Sequence, residues 1–267
     1  MLQPARSEAG LPEKAMVYCC FNGAHKINRF AFDRWMAILA RVPESVLWLL
    51  GGTEATNARL KNYASERGIT PERIIFADKL ANPSHLARYV LADLFLDTTP
   101  YGAHTTASDA LWMGVPALTF SGRSFASRVC GSLLRSAGLA ELVCTSADAF
   151  VNKAVELGQN PAQLLRYREN LRTERESCTL FNMPLLVRSL EALYRQMWSD
   201  FKNGALPRPD LANLDAYLEV GSQAAYDDID VQIIEDYAGW WRQKLAKYNQ
   251  FRPIPPDHRL FGDGPEA

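Results

Sequence analysis

Several side chains in this sequence stand where they could act together on an anionic ligand. The stretch YGAHTTASDALWMGVP (101–116) follows directly on LADLFLDTTP. The first of these ends as a buried strand running into a proline turn, and the second opens as a helix. A helix that starts there presents unpaired backbone N–H groups and a positive dipole end, and phosphate is the usual guest of such an end. Thr105 and Thr106 add amide and hydroxyl donors, His104 adds a third, and Asp109, one turn further on, could accept two ribose hydroxyls. Thr106-Ala-Ser-Asp109 is also a capping-box pattern in which Asp109 binds back to the chain, and the local pattern taken alone favours that reading. Lys26, in CCFNGAHKI, follows the first apolar run and could meet a diphosphate, although an exposed loop lysine is usually idle. His85 and Arg88 lie three apart on a short helical stretch and so share a face. An imidazole and a guanidinium side by side could hold a base or could form a solvated helix face.

What positions these residues is an alternation of strand and helix. Apolar runs at 16–21, 45–52, 73–78, 93–98 and 116–120 read as strands. Between and after them, 29–42, 55–68, 83–91, 105–114 and 124–138 read as helices, two of them ending at Gly68 and Gly114. The strands are apolar on both sides, which predicts a parallel sheet covered on both faces. In such a sheet the ligand lies outside the carboxyl ends of the strands, where Lys26, the His85–Arg88 pair and the His-Thr-Thr turn all fall. From 146 the chain reads as helical. GALPRPDL (204–211) reads as a linker. The tail 212–267 carries Tyr217, Tyr226, Tyr237, Trp240, Trp241, Tyr248 and Phe251, a density of aromatics that predicts docking rather than disorder. The division expected is therefore a polar leader at 1–14, an α/β domain with C-terminal helices at 15–203, and an aromatic extension at 204–267.

The totals narrow the class. The chain has 267 residues and a net charge of −1, so no global basic field gathers nucleic acid. Five cysteines form no C-x-x-C pair and no visible disulfide framework, which fits a reducing compartment. No apolar stretch approaches the roughly 18 residues of a membrane span, and the start has no apolar signal core. The expectation is a cytoplasmic protein without nucleic-acid or membrane partners. Neither G-x-x-x-x-G-K-[ST] nor G-x-G-x-x-G follows a strand.

FNGAHKI, RVPESVLWLL, RIIF, HLARYVLADLFLDT, YGAHTTASDALWMGVPALT, SFASRVCGSLL and LEALYRQMW stand in this order between about residues 15 and 200. Together they resemble the protein O-GlcNAc transferase family, including its SPINDLY-type bacterial members, and the tail resembles the extension of the bacterial ones. The resemblance implies a GT-B fold, two Rossmann-like domains facing a cleft, usually behind tetratricopeptide repeats. This chain would be the C-terminal, nucleotide-sugar-binding half. It further implies that Lys26 meets the diphosphate, that His85 and Arg88 contact the base, that His104, Thr105 and Thr106 bind phosphate, and that Asp109 holds the ribose. A ribose-binding lysine of animal members falls at Asn82, and a glutamine or asparagine of many members falls near Gly23. The implied reaction is inverting, metal-independent transfer of GlcNAc from UDP-GlcNAc to Ser or Thr of a protein, with no cofactor. Lys26 would stabilise the leaving diphosphate, and the general base would come from the N-terminal half. Plant SPINDLY-type relatives use GDP-fucose, so an O-fucosyltransferase is an alternative; a catalytically silent nucleotide-sugar-binding or interaction module is another.

Overall fold

The computed structural model describes residues 4–206, 211–255 and 257. The chain divides into two compact units, one ending at Leu185 and one beginning at Leu186.

The first unit alternates strand and helix: β1 (Met16–Cys20), α1 (Arg29–Arg41), β2 (Ser45–Leu50), α2 (Glu54–Glu66), β3 (Ile74–Ala77), α3 (Asn82–Ala87), β4 (Leu94–Leu96), α4 (Thr105–Trp112), β5 (Ala117–Phe120), α5 (Phe125–Ser136), β6 (Val143–Cys144), α6 (Ala147–Gln159) and α7 (Pro161–Thr173). The six strands form one parallel sheet in the order β3-β2-β1-β4-β5-β6. This is a doubly wound, Rossmann-like arrangement. Cys19 and Cys20, neighbours that point to opposite faces of β1, are both fully buried, so both faces of the sheet are covered. The very short β6 has no periodicity to announce it; it exists because Thr119 and Phe120 of β5 pair with Val143 and Cys144.

The helices face the sheet with the stripes their spacing sets. Phe32, Trp35, Met36 and Leu39 of α1 are all buried. Residues 4–14, read from sequence as leader, carry a 3-10 turn at Ser7–Ala9 and bury Leu11. Arg6 ties this stretch down through an ion pair with Asp93 (2.8 Å) and a bond to the Ala15 carbonyl (2.8 Å). An arginine reaching the half-buried acid just before β4 is a contact that hydrophobic patterning does not register.

In the second unit, α8 (Met183–Lys202), which begins just before the division, is followed by α9 (Leu214–Ser222) and α10 (Tyr237–Phe251). α9 and α10 pack around Ala216, Val220 and Leu245. Tyr248 donates to Glu219 (2.9 Å), and Tyr217 to Asp257 (2.7 Å). Part of the linker (207–210) and most of the C-terminal stretch, including His258, lie outside the described residues. Among the described residues no helix is long and apolar enough to cross a membrane.

Candidate functional site

The strand order places a crevice between β1 and β4. From β1 the chain winds outward to β2 and β3, then returns to lay β4 on the other side of β1. The loops leaving β1 and β4 therefore diverge at their carboxyl ends, the place where such sheets bind ligands. The β1 loop carries Asn22 and Lys26; the β4 loop carries residues 97–104 and delivers the start of α4.

Asp97 organises the second loop. It is almost fully buried, and its carboxylate accepts from the Thr98 amide (2.8 Å), the Ala103 amide (2.6 Å) and the Thr119 hydroxyl (2.7 Å). Burial raises its carboxyl above the usual range, and these bonds oppose that shift. Gly102 lies against it: a Cβ there would stand 3.0 Å from Asp97 Oδ2 and 3.1 Å from the Ala126 carbonyl, so any side chain would press on both. Asn22, also buried, crosses the crevice. Its Nδ2 donates to Thr98 Oγ1 (2.8 Å), and its Oδ1 accepts from the Thr106 hydroxyl. Asn28 closes the same gap by donating to the Thr99 carbonyl while its Oδ1 caps α1 at the Ala31 amide.

The helix start is as the strand-to-helix reading requires. His104 is the N-cap, and its carbonyl accepts from the amides of Ala107 and Ser108 (both 3.1 Å). The amides of Thr105 and Thr106 precede the first intrahelical bonds and have no acceptor within the helix. The capping box, favoured on local pattern, does not form. Thr106 lies inside the helix and its hydroxyl turns to Asn22, so it cannot cap, and Asp109 stands half-buried with its carboxyl raised by desolvation. The His104 ring leans on the Ala126 carbonyl (3.3 Å).

Lys26 ends a 3-10 turn, Ala24–Lys26. Its Nζ donates to the Gly102 carbonyl (2.9 Å) and stands 3.8 Å from the centroid of the Tyr101 ring. The ammonium thus already bridges the two loops. Burial lowers its pKa, and the Asp97 carboxylate pushes it back up.

His85 and Arg88 do share a face, and more closely than spacing requires. Arg88 Nη2 bonds to His85 Nδ1, and Nη1 donates to the Asp78 carbonyl (2.6 Å). Burial, then the neighbouring guanidinium, pulls the imidazole below its ordinary value, so the neutral ring is favoured. With Nδ1 accepting from Arg88, the proton sits on Nε2. The imidazole rests 5.4 Å from both Phe21 and Tyr89, and the guanidinium lies over Phe21 at 4.8 Å. Arg88 is therefore a buried brace for His85 rather than a free fork of donors. Tyr89 extends the brace to α4 by donating to the Thr106 carbonyl (3.2 Å). Asn82, at the first position of α3, is exposed. A cavity of about 480 Å³ lies between α3, the β2 and β3 strands and residues 4–9. Trp48, Phe76 and Leu80 line it, and of the expected site residues it touches Arg88 alone.

The structure thus joins Lys26 to the loop before His104 through Gly102 and Tyr101, and His85 to Arg88 directly, while Tyr89, Thr106 and Asn22 link the His85 side to the α4 start and the β1 loop. Asn22, Asp97 and Tyr101 were not among the residues singled out from sequence. Only Asp97 left a signal there, an acid closing the buried run DLFLD.

A parallel sheet in this order, flanked by helices, is a Rossmann-like fold of the kind found in GT-B glycosyltransferases. The chain matches the family model "Glycosyl transferase family 41" over residues 1–190, and it belongs to that family. It is 39% identical over 207 residues to the probable UDP-N-acetylglucosamine--peptide N-acetylglucosaminyltransferase SEC of Arabidopsis thaliana, covering 77% of this chain and 21% of that protein. It is 38% identical to the Caenorhabditis elegans UDP-N-acetylglucosamine--peptide N-acetylglucosaminyltransferase, over 76% of this chain and 18% of that one. The chain thus spans about a fifth of the length of these curated relatives. Among solved structures it resembles a mutant of the Thermobaculum terrenum O-GlcNAc transferase, with a TM-score of 0.68 and 35% identity over 72% of this chain and 38% of that one. A sucrose-phosphate synthase from Thermosynechococcus elongatus shares the fold alone, at 20% identity and a TM-score of 0.53.

Proposed function

We propose that this chain is the donor-binding part of a protein O-glycosyltransferase that moves GlcNAc from UDP-GlcNAc to Ser or Thr hydroxyls, inverting the anomeric carbon and using no metal. The observation that carries the reading is the start of α4. Two amides without helical acceptors, Thr105 and Thr106, open the helix at the switch-point crevice, and the Lys26 ammonium is bonded to the loop that leads into it. The names of the relatives supply the sugar nucleotide and the peptide acceptor.

In this reading the diphosphate lies across the α4 start and Lys26. The base rests against the neutral His85 ring, whose Nε2–H is the donor it offers, and Asp109 and Asn82 stand toward the ribose. An acceptor hydroxyl attacks the anomeric carbon from the face opposite the diphosphate, the glycosidic C–O bond breaks, and the electron pair leaves with the phosphate oxygen. Charge grows on the diphosphate, where donors already in place stabilise it; removing one such donor typically costs roughly 3–4 kcal/mol of barrier. The acceptor groove and the general base that takes the hydroxyl proton belong to a facing half, of which the relatives' greater length gives room. Five cysteines without disulfides fit a cytoplasmic setting.

Calorimetry of the chain against UDP, UDP-GlcNAc and GDP-fucose, each in EDTA, tests this. Binding of UDP and UDP-GlcNAc is expected. A preference for GDP-fucose would replace the donor, binding only after a divalent cation is restored would overturn metal independence, and no binding of any of the three would overturn the donor-site reading.

A further inference from the structure

The Tyr101 ring has no part in the site as assigned above, yet it lies at its centre. It is 46% exposed, a large aromatic left partly in solvent at the crevice. The Lys26 Nζ stands over its face at 3.8 Å from the centroid. Its edges are braced by two imidazoles, His25 at 6.2 Å and His104 at 5.5 Å, and His104 in turn meets Phe125 at 6.0 Å. The ring is thus held by residues from both loops, and its face is the surface on which the cation sits.

A lysine on a four-carbon stem is a mobile charge, and ordering it when a ligand arrives opposes binding. An ammonium has three donors. Here one is given to the Gly102 carbonyl (2.9 Å), the ring face receives the charge on a second side, and a third direction is left for an incoming oxygen. The buried Asp97 carboxylate lies close enough to be felt by Lys26. The ring and the Gly102 carbonyl hold the ammonium at the crevice without neutralising it, which a direct ion pair would do.

We propose that Tyr101 is the positioning residue of Lys26: its ring face holds the ammonium at the mouth of the crevice, so that a diphosphate meets a cation already in place. This rests on the reading of Lys26 as the diphosphate cation, and the test separates the two.

The chain is labelled with ¹³C-lysine, and the Lys26 side-chain resonance is assigned by its absence in Lys26→Ala. In the ligand-free protein that resonance is expected to be shifted upfield by the ring current of Tyr101, to lose the shift in Tyr101→Leu and to keep it in Tyr101→Phe. UDP and uridine are then titrated into each variant. Tyr101→Leu is expected to weaken UDP about tenfold, the scale of a partly desolvated cation–π contact, with uridine unchanged; Tyr101→Phe is expected to stay within about twofold of the native chain for both. A ring-current shift that survives in Tyr101→Leu overturns the proposal, because the ring is then not under Lys26. Equal weakening of UDP and uridine overturns it as well, since Tyr101 would then act through the fold. A Phe variant as weak as the Leu variant would assign the effect to the hydroxyl and overturn it too. Failure of the native chain to bind UDP would overturn the diphosphate reading, while the ring-current shift still decides whether Tyr101 holds Lys26.

Discussion

On the α3 side of the crevice, Arg88 is 5% exposed and both its Nη atoms are engaged, one on His85 and one on the Asp78 carbonyl. On the β4–α4 side, Thr105 and Tyr101 are exposed and Lys26 is held by one carbonyl and one ring face. One flank is built as core and the other as surface. Under the proposed function, the chemistry each would meet would account for the difference. A planar ring is recognised by a rigid, apolar wall with few polar atoms, and a wall of Phe21, Tyr89 and His85 can be fixed in advance. A diphosphate needs donors that are not already satisfied, so its flank must leave amides and an ammonium accessible. What holds that flank in shape lies beneath it, in the Asp97 and Asn22 bonds.

The largest effect should come from removing that support. In Asp97→Ala the Thr98 and Ala103 amides and the Thr119 hydroxyl lose their acceptor inside the protein. Unsatisfied buried donors cost about 1–3 kcal/mol each, so a loss of about 3 kcal/mol or more is expected in urea unfolding, with UDP binding falling alongside. Unchanged stability would mean that the loop does not depend on Asp97, and the contrast between exposed donors and buried support would fail.

Next comes the cation itself. Lys26→Ala should raise the Kd for UDP about 30-fold, on the scale of about 2 kcal/mol for a bond to a charged group, and leave uridine unchanged. A calorimetric series with both ligands checks this, and equal losses would erase the division into two flanks.

The α3 flank should respond instead to pH. The His85 pKa is lowered in the fold from 6.5, by burial and then by Arg88. A lowered basic group stabilises the fold above its unfolded pKa, and the contribution is lost as pH falls through the folded value. Asp109, raised by burial, shifts stability in the opposite sense, so the comparison is made against a variant. Uridine binding by the native chain should weaken as pH falls from neutrality through the lowered His85 value, and His85→Gln should flatten that profile. A profile unaltered by the substitution would remove His85 from the base flank.

The smallest effect is expected at Asn82, exposed at the first position of α3. Asn82→Ala should change stability by less than about 0.5 kcal/mol and nucleotide affinity by no more than a few-fold. A large loss of UDP binding would make Asn82 a major ribose contact and break the expected ranking.

The sequence by itself determined five of the six strands and the helices that alternate with them. Val17 to Cys20, Val46 to Leu49 and Leu94 to Leu96 are uninterrupted apolar runs, and burial on both faces of a parallel sheet follows from them. The helix start at Thr105 was legible because a strand, a proline turn and a polar triplet adjoin in the chain. Lys26, His85, Arg88 and the His104 turn could each be placed at a strand's carboxyl end for the same reason. Only the tertiary structure decided which strands are neighbours, and so that the β1 and β4 loops, more than 70 residues apart, share one crevice. It turned the Thr106 hydroxyl to Asn22 and left the capping box unformed. It also buried Arg88 behind His85, set Asp97 beneath the turn and laid Lys26 on Tyr101. Each of these depends on a partner that local periodicity does not encode. Strand order is set by packing over the whole sheet, and a polar side chain takes whichever partner that packing brings within hydrogen-bond reach.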